Sequence, residues 1–219
     1  WSQRERLIQA KIAGDSGWIN TYRYFSGANI WPRGFPLEEV RRPVPSLVET
    51  SILVDSPIQQ ALADENPDVD AIFRLTQPLP QSFRNEIPVA LGANAWCPFN
   101  SQNTTWWREA APLLYLPTHC SFRMTDIWRS FVAQRIAWEN DWYLTFHSAS
   151  VWQERNEHDL LKDFSDEVPG YLANSKIAST LAGLNLKRGA SHLFDNLHIS
   201  YESLVSVGVI GKEEIPLLE

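Results

Sequence analysis

Basic tracts, long apolar runs and a cysteine framework are all missing from this sequence. Lys and Arg number 19 against 26 Asp and Glu, a formal net charge of −7. Nucleic-acid binding needs clustered cations, so the balance argues against nucleic acid as a partner. An anionic small molecule held by a few placed arginines remains compatible with it. No run of about 18 apolar residues occurs, so nothing in this stretch reads as a membrane span. No leader peptide is visible either. Cysteine is limited to Cys97 and Cys120, too few for a disulfide framework and wrongly spaced for zinc, and their redox state stays open. The first residue is Trp1 rather than Met, which reads as a chain trimmed, processed or cut from something longer.

What is present fits one large domain or two small ones with a real core: 219 residues, 44% hydrophobic and 21% charged. The ten tryptophans are unusual. Tryptophan joins a large apolar body to one N–H donor, which suits a core and equally suits stacking on sugars or bases.

Along the chain, residues 1–14 read as a short helix ending at Gly14. Residues 45–56, "PSLVETSILVDS", read as an extended segment or strand. "SPIQQALADEN" reads as a helix with Ser56 as N-cap and Pro57 at its first position. "DAIFRLTQPLP" reads as a strand stopped by prolines, and residues 87–107 as strand, turn, strand and polar loop. "TDIWRSFVAQRIAWEN" is the clearest helix, capped by Thr125. "DWYLTFHSASV" is a strand, followed by helix on both sides of a Pro169–Gly170 break. In the tail, Leu193, Leu197, Tyr201 and Leu204 recur at helical spacing. The sum is a single α/β domain whose C-terminal extension, from about residue 165, is helical.

Five short segments invite chemistry. In "WPRGFPLEEV", two prolines and Gly34 make a stiff, non-helical loop that presents Arg33, free for a ligand or paired with a carboxylate such as Glu38. Asp68-Val69-Asp70 has the Asp-x-Asp form that suits a divalent ion. As read here, though, it follows a helix and precedes a strand, and a turn explains it better. "CPFNSQNTTWW" sets Asn100, Ser101, Gln102, Asn103, Thr104 and Thr105 between aromatics; amides and hydroxyls match a sugar's hydroxyls or pack internally. Asn103-Thr104-Thr105 also fits a glycosylation acceptor pattern. "FRMTDIWRSF" places Asp126 in a first helical turn, with Arg123 and Arg129 close enough to flank it. That makes Asp126 an ordinary N-terminal acid or a general base and hydroxyl clamp. Finally, Arg155, Asn156 and His158 gather at a strand-to-helix transition, where His158 could ligate a metal, bind phosphate or cap the helix. His147, in an apolar strand, reads as structural.

Taken in order, "WPRGFPLEEV", "NPDVDAIFRLT", "PFNSQNTTWW", "LLYLPTHCSFRMTDIWRSFVAQRIAW" and "QERNEHDLLKDF" resemble the glycosyltransferase domain of the STELLO proteins over roughly residues 25–170. A weaker similarity runs to the reversibly glycosylated polypeptides, which are nucleotide-sugar mutases. Their Arg-Gly-Tyr-Pro loop and Asp-Asp-Met-Trp helix start echo Arg33-Gly34-Phe35-Pro36 and Thr125-Asp126-Ile127-Trp128. The resemblance implies a GT-A-like mixed sheet flanked by helices, incomplete at its N-terminus, with residues 1–165 as the acceptor side and 166–219 as the helical extension. It implies a nucleotide-sugar donor, a carbohydrate or glycan acceptor and, in the complete enzyme, a Mn or Mg ion, with no cofactor assured for this chain. A Golgi membrane protein with a lumenal domain is implied too, anchored through a segment absent here; a cytoplasmic setting is the alternative. Asp126 would orient or deprotonate the acceptor, while Trp31, Arg33 and Gly34 line the cleft. Asn100, Ser101, Gln102 and Asn103 would hold sugar hydroxyls. Arg123, Arg129, Arg155 and Asn156 would bind substrate and His158 the metal. Trp31, Trp106 and Trp128 are expected near one cleft, with Trp138 in the core. A non-catalytic module for carbohydrate or protein assembly, and a mutase, are the competing readings.

Overall fold

The computed structural model describes residues 5–14, 16–154 and 159–218. Among the described residues there are eight strands: β1 (Leu7–Ile12), β2 (Gly17–Trp18), β3 (Ile52–Asp55), β4 (Ile58–Glu65), β5 (Val89–Leu91), β6 (Ala95–Trp96), β7 (Thr104–Trp106) and β8 (Leu144–Gln153). Six of them form a sheet in the order β3-β1-β5-β8-β4-β7, and β2 pairs with β6 apart from it. Pairing in the large sheet is mixed: β1 with β5 and β4 with β8 are parallel, the other three contacts antiparallel. The helices are α1 (Tyr22–Phe25), α2 (Ala71–Thr76), α3 (Thr125–Trp138), α4 (Leu160–Ala182) and α5 (Leu193–Ser206). This is the expected α/β architecture, a mixed sheet flanked by helices with a helical C-terminal part, and it is consistent with a GT-A-like fold.

Helix α3 is the centre of the packing. Every residue from Ile127 to Ala137 is buried, so it is enclosed on all sides rather than along one stripe. Two of its buried polar side chains bond to neighbouring segments. Arg135 donates to the Leu181 and Leu184 carbonyls at 3.0 and 2.6 Å, and Gln134 Oε1 accepts from Cys97 N at 3.1 Å. In α5, Leu193, Leu197, Tyr201 and Leu204 are buried, as their spacing predicts. Trp138 is half-buried and packs on Trp96 with ring centroids 4.5 Å apart.

Several elements differ from the sequence reading, each for a tertiary reason. Residues 7–12 form a strand instead of a helix, because β1 is paired on both edges, by β3 and β5. "SPIQQALADEN" forms β4, a strand inside the sheet that is buried from Ile58 through Ala63. A strand buried on both faces shows no alternation, and its Gln and Ala residues imitate a helix. Gln59 and Gln60 are tolerated there because their amides are bonded, Gln59 to the Glu5 and Ser56 carbonyls and Gln60 to Asn100 N. "DAIFRLT" is helix α2, not a strand, and Asp70 caps it by accepting from Phe73 N at 2.7 Å. Thr125 does not cap α3; Met124 holds that position, and the Thr125 hydroxyl donates to the Phe122 carbonyl at 3.1 Å. Helix α4 runs unbroken through Pro169.

Candidate functional site

The Trp31–Pro36 loop is fixed by its neighbours. Gly34 has φ +85°, and a Cβ there would stand 2.3 Å from Ile127 Cγ2, so glycine is required twice over. Asn174 of α4 donates to the Gly34 carbonyl at 2.7 Å while its Oδ1 accepts from the Trp128 indole at 2.9 Å. The loop is thereby tied to both central helices. Arg33 is buried, and it is not paired with Glu38, which bonds Ser175 instead. Its Nε and Nη2 grip Asp68 Oδ1 and Oδ2 at 2.9 and 2.8 Å, Nη2 also reaches Asp126 Oδ2 at 3.1 Å, and Nη1 donates to the Arg123 carbonyl. Burial would push the Asp68 carboxyl up, but the Arg33 guanidinium outweighs it and holds the group below the usual carboxylate range. Burial likewise opposes the Arg33 charge, and Asp68 and Asp126 more than restore it.

Asp68 and Asp70 lie at the C-terminal end of β4, not between a helix and a strand. The positional objection to an Asp-x-Asp metal motif therefore fails, since this is where ligands meet α/β sheets. Occupancy is what matters here. Both Asp68 oxygens bind Arg33, and both Asp70 oxygens are taken, by Phe73 N and by the Trp31 indole at 2.7 Å each. Burial raises Asp70 to about 6, eased by those two donors and reinforced by Glu167 and Asp68. No group of three His, Cys, Asp or Glu side chains among the described residues is placed to hold a metal.

In front of Arg33 lies a cleft of about 410 Å³ lined by Asn66, Asp68, Arg74, Gln102, Arg123, Asp126 and Gln153. Asp126 Oδ2 accepts from Ser101 N at 3.0 Å as well as from Arg33, and Oδ1 carries no hydrogen bond among the described residues. The guanidinium beside Asp126 is thus Arg33; Arg123 and Arg129 turn elsewhere. Arg123 bonds Glu167, a fully buried carboxylate that also accepts from Ala71 N at 2.7 Å and the Tyr171 hydroxyl at 2.6 Å. Three amides close the opposite wall: Gln102 donates to Gln153 Oε1 and to the Asn66 carbonyl, and Asn66 donates to the Gln153 carbonyl at 3.0 Å. The cleft is an array of carboxylate, amide and guanidinium groups, chemistry that meets hydroxyls.

Comparison with known proteins gives this geometry a context. A model described as "STELLO glycosyltransferases" matches residues 123–219. The Arabidopsis thaliana protein named "Probable glycosyltransferase STELLO2" is 31% identical over 203 residues, 90% of this chain and 25% of that protein. "Probable glycosyltransferase STELLO1", from the same plant, is 32% identical over 136 residues, 59% of this chain and 18% of that one. These matches support a STELLO-type family assignment. The chain spans about a quarter of the STELLO2 length.

The remaining candidates of this STELLO-type chain are spread more widely. Ser101 sits at the cleft rim, and Arg129 stands behind it, donating to Ser101 Oγ at 3.0 Å with its guanidinium 4.9 Å from the Trp106 ring centre. Asn100 is buried, and its Oδ1 accepts from Gln102 N at 2.9 Å, shaping the loop from within. Asn103 turns to the sheet, where its amide donates to the Leu62 carbonyl and to Ser150 Oγ at 3.0 Å each, beside a register shift between β4 and β8. Trp31 and Trp128 are buried and do not line the cleft; both hold its framework. Arg155, Asn156 and His158 lie outside the described residues. The sequence reading missed Asn66, Arg74, Gln153 and Glu167. The Asp-x-Asp motif was the available signal for Asn66 and Arg74, had β4 been recognised as the strand before it.

Proposed function

We propose that this chain supplies the acceptor side of a STELLO-type glycosyltransferase, with Asp126 receiving the acceptor hydroxyl. The observation that carries the reading is the state of that one carboxylate: Oδ2 is fixed by Arg33 and Ser101 while Oδ1 has no bond from any of the described residues at the cleft. A fixed carboxylate with one open oxygen can accept an incoming O–H and align its oxygen for attack. In the reaction, the acceptor oxygen bonds to the anomeric carbon of a nucleotide sugar. The bond to the diphosphate breaks, and the hydroxyl proton passes to Asp126. Gln102, Gln153 and Asn66 would orient the acceptor's other hydroxyls, and Arg123 and Arg74 would meet negative charge as it develops.

The carboxylates described here do not fit the divalent cation that the resemblance implies, because their oxygens are engaged or stand singly. No step is drawn through such an ion. If one serves the complete enzyme, its ligands lie beyond the described residues, with His158 the candidate from this chain. That same engagement favours a second reading, in which this stretch binds carbohydrate without catalysing transfer. The mutase reading rests on the likeness of the loop and the helix start alone. A lumenal Golgi setting is part of the proposal; no described helix is long and apolar enough to cross a membrane.

The experiment is to incubate the full-length protein with a panel of UDP-sugars and neutral oligosaccharide acceptors and to detect the lengthened glycan by mass. A lengthened product supports transfer. Binding of the oligosaccharides with no product from any donor supports the module instead.

A further inference from the structure

Of the nine tryptophans among the described residues, eight are buried or half-buried, and Trp152 is 69% exposed. It stands near the C-terminal end of β8, opposite Asp64 of the parallel strand β4. Exposing an indole costs apolar solvation, so its position at a ligand-facing sheet end calls for a reason. Around it is a hollow of about 320 Å³ lined by Glu65, Asn66, Trp152 and Glu154. Asn66 also lines the Asp126 cleft, so the two hollows share a wall. Glu65 has φ +71°, a conformation that L side chains rarely adopt, held by paired backbone bonds to Gln81 at 2.8 and 3.1 Å. Such strain is characteristic of functional positions.

The chemistry of the hollow selects its occupant. Two carboxylates and, among the described residues, no cation line it, which disfavours phosphates and therefore a nucleotide. A neutral pyranose fits: its C–H face lies on the electron-rich face of the indole, and its hydroxyls donate to the carboxylates. Asn66, anchored to the Gln153 carbonyl, would bridge this ring and the one at Asp126. We infer that Trp152, with Glu65, Glu154 and Asn66, forms a stacking subsite for a neutral sugar of the acceptor, adjacent to the residue that receives the transferred unit. The assignment of the ring to an acceptor rests on the function proposed above; the binding itself does not.

The test uses this chain labelled at its indole nitrogens, with the Trp152 resonance identified by its absence in Trp152→Phe. Hexamers of β-linked glucose, mannose, galactose and xylose are titrated without any donor. The Trp152 resonance is expected to move with at least one hexamer, and Trp152→Ala to weaken that hexamer at least tenfold with an unchanged melting curve. A Trp152 resonance unmoved by all four hexamers, or undiminished affinity in Trp152→Ala, overturns the subsite. So does an indole shielded from acrylamide quenching in the full-length protein, which would mean that protein covers it. Since no turnover is measured, failure here leaves the role of Asp126 standing. Loss of that role would leave the subsite intact.

Discussion

Arg33 holds Asp68 in a two-pronged grip, Nε to Oδ1 at 2.9 Å and Nη2 to Oδ2 at 2.8 Å, and the same Nη2 reaches Asp126 at 3.1 Å. One guanidinium therefore links the strand end after β4 to the first turn of α3. Its positive charge is consumed inside the fold, which makes Arg33 the positioner of Asp126 rather than a contact for diphosphate. Replacing it with Met leaves two carboxylates short of a partner, and loss of a buried partner costs about 3–5 kcal/mol. Urea unfolding should show a loss of that size for Arg33→Met. Arg33→Lys should be intermediate, because lysine keeps the charge and loses the fork. Near-wild-type midpoints for both would show that the link carries no stability.

Gly34 gives a second expectation. Alanine there meets Ile127 Cγ2 at 2.3 Å and must hold φ +85°. Gly34→Ala should lose at least about 2 kcal/mol from overpacking and left-handed strain together. Ile127→Ala in the Gly34→Ala background should ease the clash and leave the strain. The double-mutant cycle is the measurement, and additive losses would argue that the two sites do not meet.

Stability should also depend on pH through two aspartates of opposite behaviour. Asp70 titrates near 6 in the fold, mainly because it is buried, against an ordinary value of 3.8. The folded state therefore binds that proton more tightly than the unfolded chain. Its contribution is complete below 3.8 and is lost as pH rises through about 6. Wild type should gain stability between pH 7 and 5 relative to Asp70→Asn, by no more than about 1.4 kcal/mol per pH unit. Asp68 runs the other way: lowered in the fold, it contributes above the ordinary carboxylate value, and that contribution is lost as pH falls below it. Parallel pH profiles for wild type and Asp70→Asn would contradict the burial argument.

The parts of the site that were legible in the sequence are those fixed locally. Two prolines and a glycine announced the rigid Arg33 loop, and Asp126 at the start of an amphipathic-looking segment announced a helix N-terminus. What could not be read was partnership across the sheet. β4 hid because Gln59 and Gln60 are buried and bonded to distant loops, so strong helix formers sit in a strand. That one misreading removed the strand end that gives Asp68 its place. Glu167 was invisible for a related reason: Tyr171 is its neighbour one turn along α4, but its other partners, Arg123 and Ala71, come from separate segments that only folding brings to it. Trp152 drew no reading from the sequence, and only the sheet shows that it is left uncovered.

The central claim is that Asp126 acts on the acceptor rather than holding the helix. The decisive measurement is kcat for sugar transfer by the full-length protein, wild type and Asp126→Asn, beside melting curves of the same preparations. Asparagine keeps the shape and can still accept from Ser101 N and Arg33, so Tm should fall by only a few degrees. Removing the base should lower kcat by about 10²–10⁴-fold. A wild-type kcat in Asp126→Asn would contradict the account, and so would a rate that fell only in proportion to the folded fraction.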